Sequence, residues 1–338
     1  MLGLSRKKDK EEDIEEEVQP KPKRKPKKKP DPLKPWGKKE RILIFLVLSV
    51  TVLSAIAFTL FSRDSLSKPV INIPSINFSQ NETIVLEKPD TKALSREEMK
   101  RQLSSKISTL SGTYGVEVIE LSTGKNYGIN QNQKFEGASF FKFPLMLAVY
   151  RQAEKGKIDL SSTHILHDSE KVGGSGVLVG LPDGTAISIK DLVSYMGKDS
   201  DNTAFNILGN QIGWKYIDEI INDAGMQNTS FKDSLTTPYD MGILFQKFME
   251  DKLVSSTSKK EILDFLTNTD NENLISKGVD SGIRVAHKYG RLTGVVNDGG
   301  VIFTTNPYIL VIMTKGISED EANKSFPELS HIVFTAEK

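Results

Sequence analysis

Phe135-Glu-Gly-Ala-Ser139-Phe-Phe-Lys142-Phe-Pro-Leu-Met-Leu-Ala-Val-Tyr150 places a serine just ahead of an apolar run and a lysine three residues later. Helical spacing over residues 138–151 puts Ser139 in the first turn and Lys142 one turn on, on the same face. The start of such a helix offers free N–H groups and the positive end of a dipole, both suited to an oxyanion forming beside Ser139. An amine next to a hydroxyl can take its proton and make a nucleophile of a weak serine. Burial and a neighbouring cation would keep that amine neutral part of the time.

Ser-x-x-Lys alone decides nothing, since it recurs at Ser5–Lys8, Ser65–Lys68, Ser122–Lys125 and Ser256–Lys259. Two later stretches matter. Ser200-Asp-Asn202 lies between helical patterns and supplies a second hydroxyl and an amide. Lys288-Tyr-Gly290 lies on a strand pattern and supplies a cation. Together the three stretches hold what acyl transfer on a carboxylate-bearing substrate needs: a nucleophile with its amine, a proton relay and a charge to attract the substrate.

With helix start, loop and strand in this order, the chain resembles the serine β-lactamase and penicillin-binding-protein superfamily, and within it a divergent class A β-lactamase domain. The resemblance runs from about residue 92 to the end. It is carried also by Gly174-Ser-Gly-Val-Leu178, Leu181-Pro-Asp-Gly-Thr185, Asp201-Asn-Thr-Ala-Phe-Asn-Ile-Leu208 and Asn297-Asp-Gly-Gly-Val301. It implies Ser139 as the acylated nucleophile and Lys142 as its amine partner. Ser200 would relay a proton to the leaving nitrogen, and Asn202 would hold Lys142 and the substrate amide. Lys288 would attract the substrate carboxylate, with Tyr289, Gly290 and Arg291 at the substrate. The backbone N–H groups of Ser139 and Arg291 would form the oxyanion hole. Neither metal nor organic cofactor is implied. The expected ligands are a β-lactam or a peptidoglycan stem peptide ending in D-Ala-D-Ala, met by a monomeric catalytic domain. The alternative is a catalytically degenerate domain that binds wall peptide or a protein partner.

Two departures stand out. Tyr289 occupies the place of a family Thr or Ser, and a phenol carries its hydroxyl well beyond theirs. The family's Glu-x-x-Leu-Asn pattern, whose glutamate activates the deacylating water, is missing after the Ser-Asp-Asn helix. Asp233 is the only carboxylate in residues 226–238 and reads as a turn residue.

The expected fold is α/β (α+β): an antiparallel sheet flanked by helices, plus an all-α lobe, preceded by a single transmembrane helix. Strand patterns cover residues 114–121, 126–130, 284–290, 299–304 and 308–313, the first alternating like a half-buried strand. Helical patterns cover 189–196, 203–212, 215–224, 238–251, 259–265 and 319–334. Ser95-Arg-Glu-Glu98 reads as a capping box opening the domain.

Charge and hydropathy set the rest. Residues 1–41 carry 15 Lys/Arg against 9 Asp/Glu and have almost no apolar residues, so they read as a disordered basic tail. The remainder is net acidic, which argues against a nucleic-acid surface. Residues 42–61 are an uncharged apolar run of 20 residues, about 30 Å of helix and enough to cross a bilayer. Lys38, Lys39 and Arg41 precede it, which places the tail in the cytoplasm and the domain outside. A cleavable signal peptide is the competing reading, given Ala55-Ile-Ala57. Residues 62–94 read as a linker and 95–338 as the catalytic domain. The chain has no cysteine, which excludes disulfides and thiolate chemistry. The four histidines show no metal spacing.

Overall fold

The computed structural model describes residues 91–338. Among them no helix is long and apolar enough to cross a membrane. The tail, the apolar run 42–61 and nearly all of the linker lie outside the described residues.

Five strands form an antiparallel sheet: β1 (Thr113–Glu120), β2 (Asn126–Ile129), β7 (Arg284–Leu292), β8 (Val295–Phe303) and β9 (Tyr308–Lys315), in the order β2-β1-β9-β8-β7. Helices α1 (Thr91–Ile107) and α8 (Glu319–Glu337) pack together on one face, over a core that includes Tyr114, Val116, Leu310, Ile312 and Phe326. Helix α6 (Pro238–Met249) covers the other face.

The sheet is therefore buried on both sides. From Tyr114 to Glu120 every residue of β1 is buried, not every second one. The alternation in its sequence records two different packing surfaces, not water on one of them. Gly115 leaves room for Phe135 and Pro238, and Gly242 of α6 lets the chain pass close to the Glu117 side chain.

The α-lobe is built round α2 (Lys142–Glu154), nearly all of which is buried. It packs against α3 (Ile189–Lys198), α4 (Asn202–Ile212), α5 (Lys215–Ala224) and α7 (Ser256–Phe265). Phe143 stacks on Phe245 at 4.4 Å and meets Phe248 edge-on at 5.3 Å; truncating such a buried ring to alanine costs about 3–5 kcal/mol. Two short ladders complete the fold: β3 (Phe135–Glu136) with β6 (Leu235–Thr236), and β4 (Thr163–Ile165) with β5 (Ala186–Ser188).

Three boundaries differ from the sequence reading. Helix α1 begins at Thr91, so Ser95 lies inside it and not at its start. Strand β8 begins at Val295, four residues before Gly299, because Asn297 and Asp298 are accommodated in the sheet with buried partners. The nucleophile segment is a 3-10 turn, Ala138–Phe141, followed by α2 from Lys142. Pro144 explains the last point: it fits the first turn of a helix starting at Lys142, whereas a helix starting at Ala138 would need its missing N–H.

Candidate active site

Ser139 sits in the 3-10 turn after Ala138, whose φ of 48° is left-handed. A non-glycine residue held there is strained, and such strain persists only where surrounding packing enforces it. Here β7 does so. A Cβ on Gly290 would lie 3.0 Å from the Ser139 nitrogen and 3.2 Å from the Gly137 oxygen, so any side chain here would force the turn or the strand to give by a few tenths of an ångström. Asn297 of β8 adds a tie, donating to the Glu136 carbonyl at 2.8 Å while accepting from the Thr314 N–H.

The second stretch folds around its aspartate. Asp201 caps α4 by accepting from the Ala204 N–H at 2.9 Å, and it also accepts from the Leu178 N–H at 2.8 Å. Gly176 passes so close that any Cβ would collide with Asp201. Ser200, at φ 53°, turns the chain into this cap.

These elements meet at the Lys142 amine. Its Nζ lies 3.1 Å from Ser139 Oγ, 3.2 Å from Ser200 Oγ and 2.7 Å from Asn202 Oδ1, and it also reaches the Ser200 carbonyl, so its N–H donors are shared among these acceptors. Asn202 is oriented in turn by donating to the Gly173 carbonyl at 2.9 Å. Burial lowers the Lys142 pKa to about 8, with the Asp201 charge pulling the other way. Burial, and then the charge of Lys142, also push the Lys288 pKa well down.

The backbone N–H of Ser139 has no backbone acceptor among the described residues. On β7 the His287 N–H donates outward, to the Leu266 carbonyl. Residues two apart along a strand present their N–H groups to the same edge, so the Arg291 N–H faces the turn that carries Ser139.

Lys288 is placed differently. It is fully buried, its Nζ donates to the Tyr289 carbonyl at 3.1 Å, and the Tyr289 ring lies 4.2 Å from it. The site opens as two adjoining lobes of about 620 and 340 Å³ that share Ser139 and Arg291; Lys288 lines neither. The structure thus brings Ser139, Lys142, Ser200 and Asn202 into one network, sets Gly290 and Arg291 against it, and leaves Lys288 beneath Tyr289.

A matching family model described as the beta-lactamase enzyme family covers residues 98–336. The chain belongs to that family. Among β-lactamase relatives from Pseudomonas aeruginosa, PSE-4 is 25% identical over 235 residues, covering 64% of this chain and 77% of that protein. PER-1, an extended-spectrum β-lactamase, is 23% identical, covering 65% and 80%. Among solved structures, a β-lactamase from Sphaerobacter thermophilus superposes with a TM-score of 0.67 at 28% identity, over 70% of this chain and 95% of that one. PBP-A shares the fold with a TM-score of 0.66 at 22% identity, over 71% and 95%. The domain is thus a low-identity member of the class A β-lactamase and penicillin-binding fold, an α/β structure with an antiparallel sheet and helices.

Within this family fold, residues 226–238 form a short loop pinned by Asp240, which accepts from the Asn228 N–H at 2.7 Å and from the Thr229 hydroxyl at 2.8 Å. The loop turns Phe231 inward against Phe141, Phe205 and Trp214. Asp233 is exposed and bonds Ser230 at 2.8 Å, an ordinary turn arrangement.

Sequence reasoning missed the buried group behind Lys288. His287 is fully buried, with Nδ1 2.8 Å from Asp298 and Nε2 3.2 Å from Glu272. Burial opposes its charge, but Asp298 and then Glu272 outweigh it and raise the imidazole to about 9. The signal available was Asn297-Asp298 inside an apolar strand pattern, since a buried carboxylate needs a partner.

Proposed function

We propose that the domain is a serine acyl hydrolase or acyltransferase that forms an acyl-enzyme at Ser139 with β-lactams or with D-alanyl peptides of the cell wall. The observation that supports this most is the Lys142 amine, buried, partly neutral near neutral pH and in contact with both Ser139 and Ser200. Neutral Lys142 accepts the hydroxyl proton as Ser139 Oγ bonds to the substrate carbonyl carbon. The N–H groups of Ser139 and Arg291 hold the resulting oxyanion. On collapse the carbonyl–nitrogen bond breaks. Ser200 hands its proton to the leaving nitrogen and recovers one from Lys142. An ester on Ser139 remains, and a water or an amine then takes the acyl group.

Neither lobe of the cleft is lined by a carboxylate from residues 226–238. Deacylation therefore lacks the usual base, a loss of about 10²–10⁴-fold for a missing general base, and the acyl-enzyme is long-lived. The intact network favours this reading over a degenerate binding domain. The reading extends to an envelope enzyme tethered by residues 42–61, with its tail in the cytoplasm and its cleft facing the wall. Fluorescent penicillin should label the wild-type protein on a gel and spare Ser139→Ala. In vesicles of known sidedness, protease on the extracytoplasmic side should reach the linker and leave residues 1–41 intact. Absence of labelling would defeat the enzyme reading, and protection of the domain would defeat the orientation.

A further inference from the structure

A substrate of this cleft carries a carboxylate, and the cation that the family motif assigns to it is out of reach. Lys288 has no solvent exposure, one of its N–H donors goes to the Tyr289 carbonyl, and the Tyr289 ring lies 4.2 Å from its ammonium. Among the described residues, the cation that lines both lobes, alongside Ser139, is Arg291. We propose that the Arg291 side chain is the specificity-determining anchor for the anionic group of the substrate, with Tyr289 as the cover that withdraws Lys288 from that task.

The guanidinium is held in place from two sides. One terminal nitrogen donates to Asn271 Oδ1 at 2.9 Å, and the other pairs with Glu319 at 3.3 Å. Its Nε is buried without a hydrogen-bond partner among the described residues. The Tyr289 ring lies 5.7 Å from the guanidinium carbon, so one aromatic ring is flanked by two cations. A guanidinium has five N–H donors in a plane, and two single contacts leave donors for an arriving carboxylate. Glu319 is the exposed partner, with 60% of its side chain accessible, and an incoming carboxylate competes with it. The ligand is thus an acyl donor with a carboxylate near the scissile amide, and it meets a planar fork where a lysine and a hydroxyl would otherwise stand.

This inference rests on reading the cleft as an acyl-donor site, so its test uses binding, which needs no acylation. In the full-length protein carrying Ser139→Ala, benzylpenicillin and its methyl ester are titrated by NMR. Adding Arg291→Gln should weaken the acid by about 10- to 100-fold, the worth of a charge-assisted pair, and leave the ester unchanged. Arg291→Lys should restore part of the difference. Glu319→Gln should tighten the acid alone. Adding Tyr289→Thr to Arg291→Gln should recover acid binding by uncovering Lys288. If acid and ester bind alike, if neither binds, or if Arg291→Gln weakens both equally, the anchor is refuted. Whether the wild-type protein forms a Ser139 adduct is scored separately. An adduct that forms equally well in Arg291→Gln would sink the anchor alone.

Discussion

Replacing Glu117 with glutamine should make the protein more stable, and by an amount that depends on pH. Glu117 lies on β1 beneath α6 with no exposure, and neither carboxyl oxygen has a hydrogen-bond partner among the described residues. Burial raises its pKa from the ordinary 4.5 to about 8. In the unfolded chain it ionises at the ordinary value, so near neutral pH folding must protonate it. Its folded pKa is the raised one, so its contribution is fully present below pH 4.5 and is lost as pH rises towards about 8. At about 1.36 kcal/mol per pH unit, the wild-type protein forgoes about 3 kcal/mol near pH 7. Glutamine keeps the shape and cannot ionise. Denaturant unfolding across this range should show the stability of Glu117→Gln relative to wild type climbing steeply between pH 5 and 8 and levelling above. The buried amide adds only a constant offset, so the slope is the readout. A difference that stays flat with pH would refute the claim that Glu117 is held neutral.

Three further outcomes follow from the site. The rate of acylation should rise with pH and level off near 8, the lowered Lys142 value, and Lys142→Ala should abolish it while the unfolding transition remains. A profile independent of pH from 6 to 9 would remove Lys142 as the base. Gly290→Ala should push the nucleophile turn off β7, against contacts of 3.0 Å and 3.2 Å, and cut the acylation rate by about 10²-fold, as small misplacements of reacting groups do; an unchanged rate would mean the close approach is unnecessary. Asp233→Asn should change neither acylation nor adduct lifetime, and loss of turnover in that variant would reveal a base in the loop.

The motifs were legible because each has a local cause. Asp201 caps a helix, Gly290 permits close approach, and the three-residue spacing brings Lys142 back to Ser139. The strand and helix order was also readable, since the apolar periods at the two ends differ from those of the helical insert. What stayed hidden depends on contacts between distant segments. β1 looked half-buried because no sequence pattern announces that α6 covers its second face. The burial of Lys288 went unread because nothing local shows its neighbour's ring lying 4.2 Å from the amine. His287 looked bland because its partners, Glu272 and Asp298, come from a separate turn and strand. Pro144 did mark the start of α2, a local signal that the longer apolar run obscured.

The most direct measurement is the intact mass of the full-length protein followed over time after mixing with benzylpenicillin. A one-to-one mass increase of a whole penicillin is expected, mapped to the peptide containing Ser139, absent from Ser139→Ala, and persisting long after an efficient β-lactamase would have cleared it. No adduct at any time, or rapid penicillin hydrolysis with no detectable adduct, would contradict this expectation.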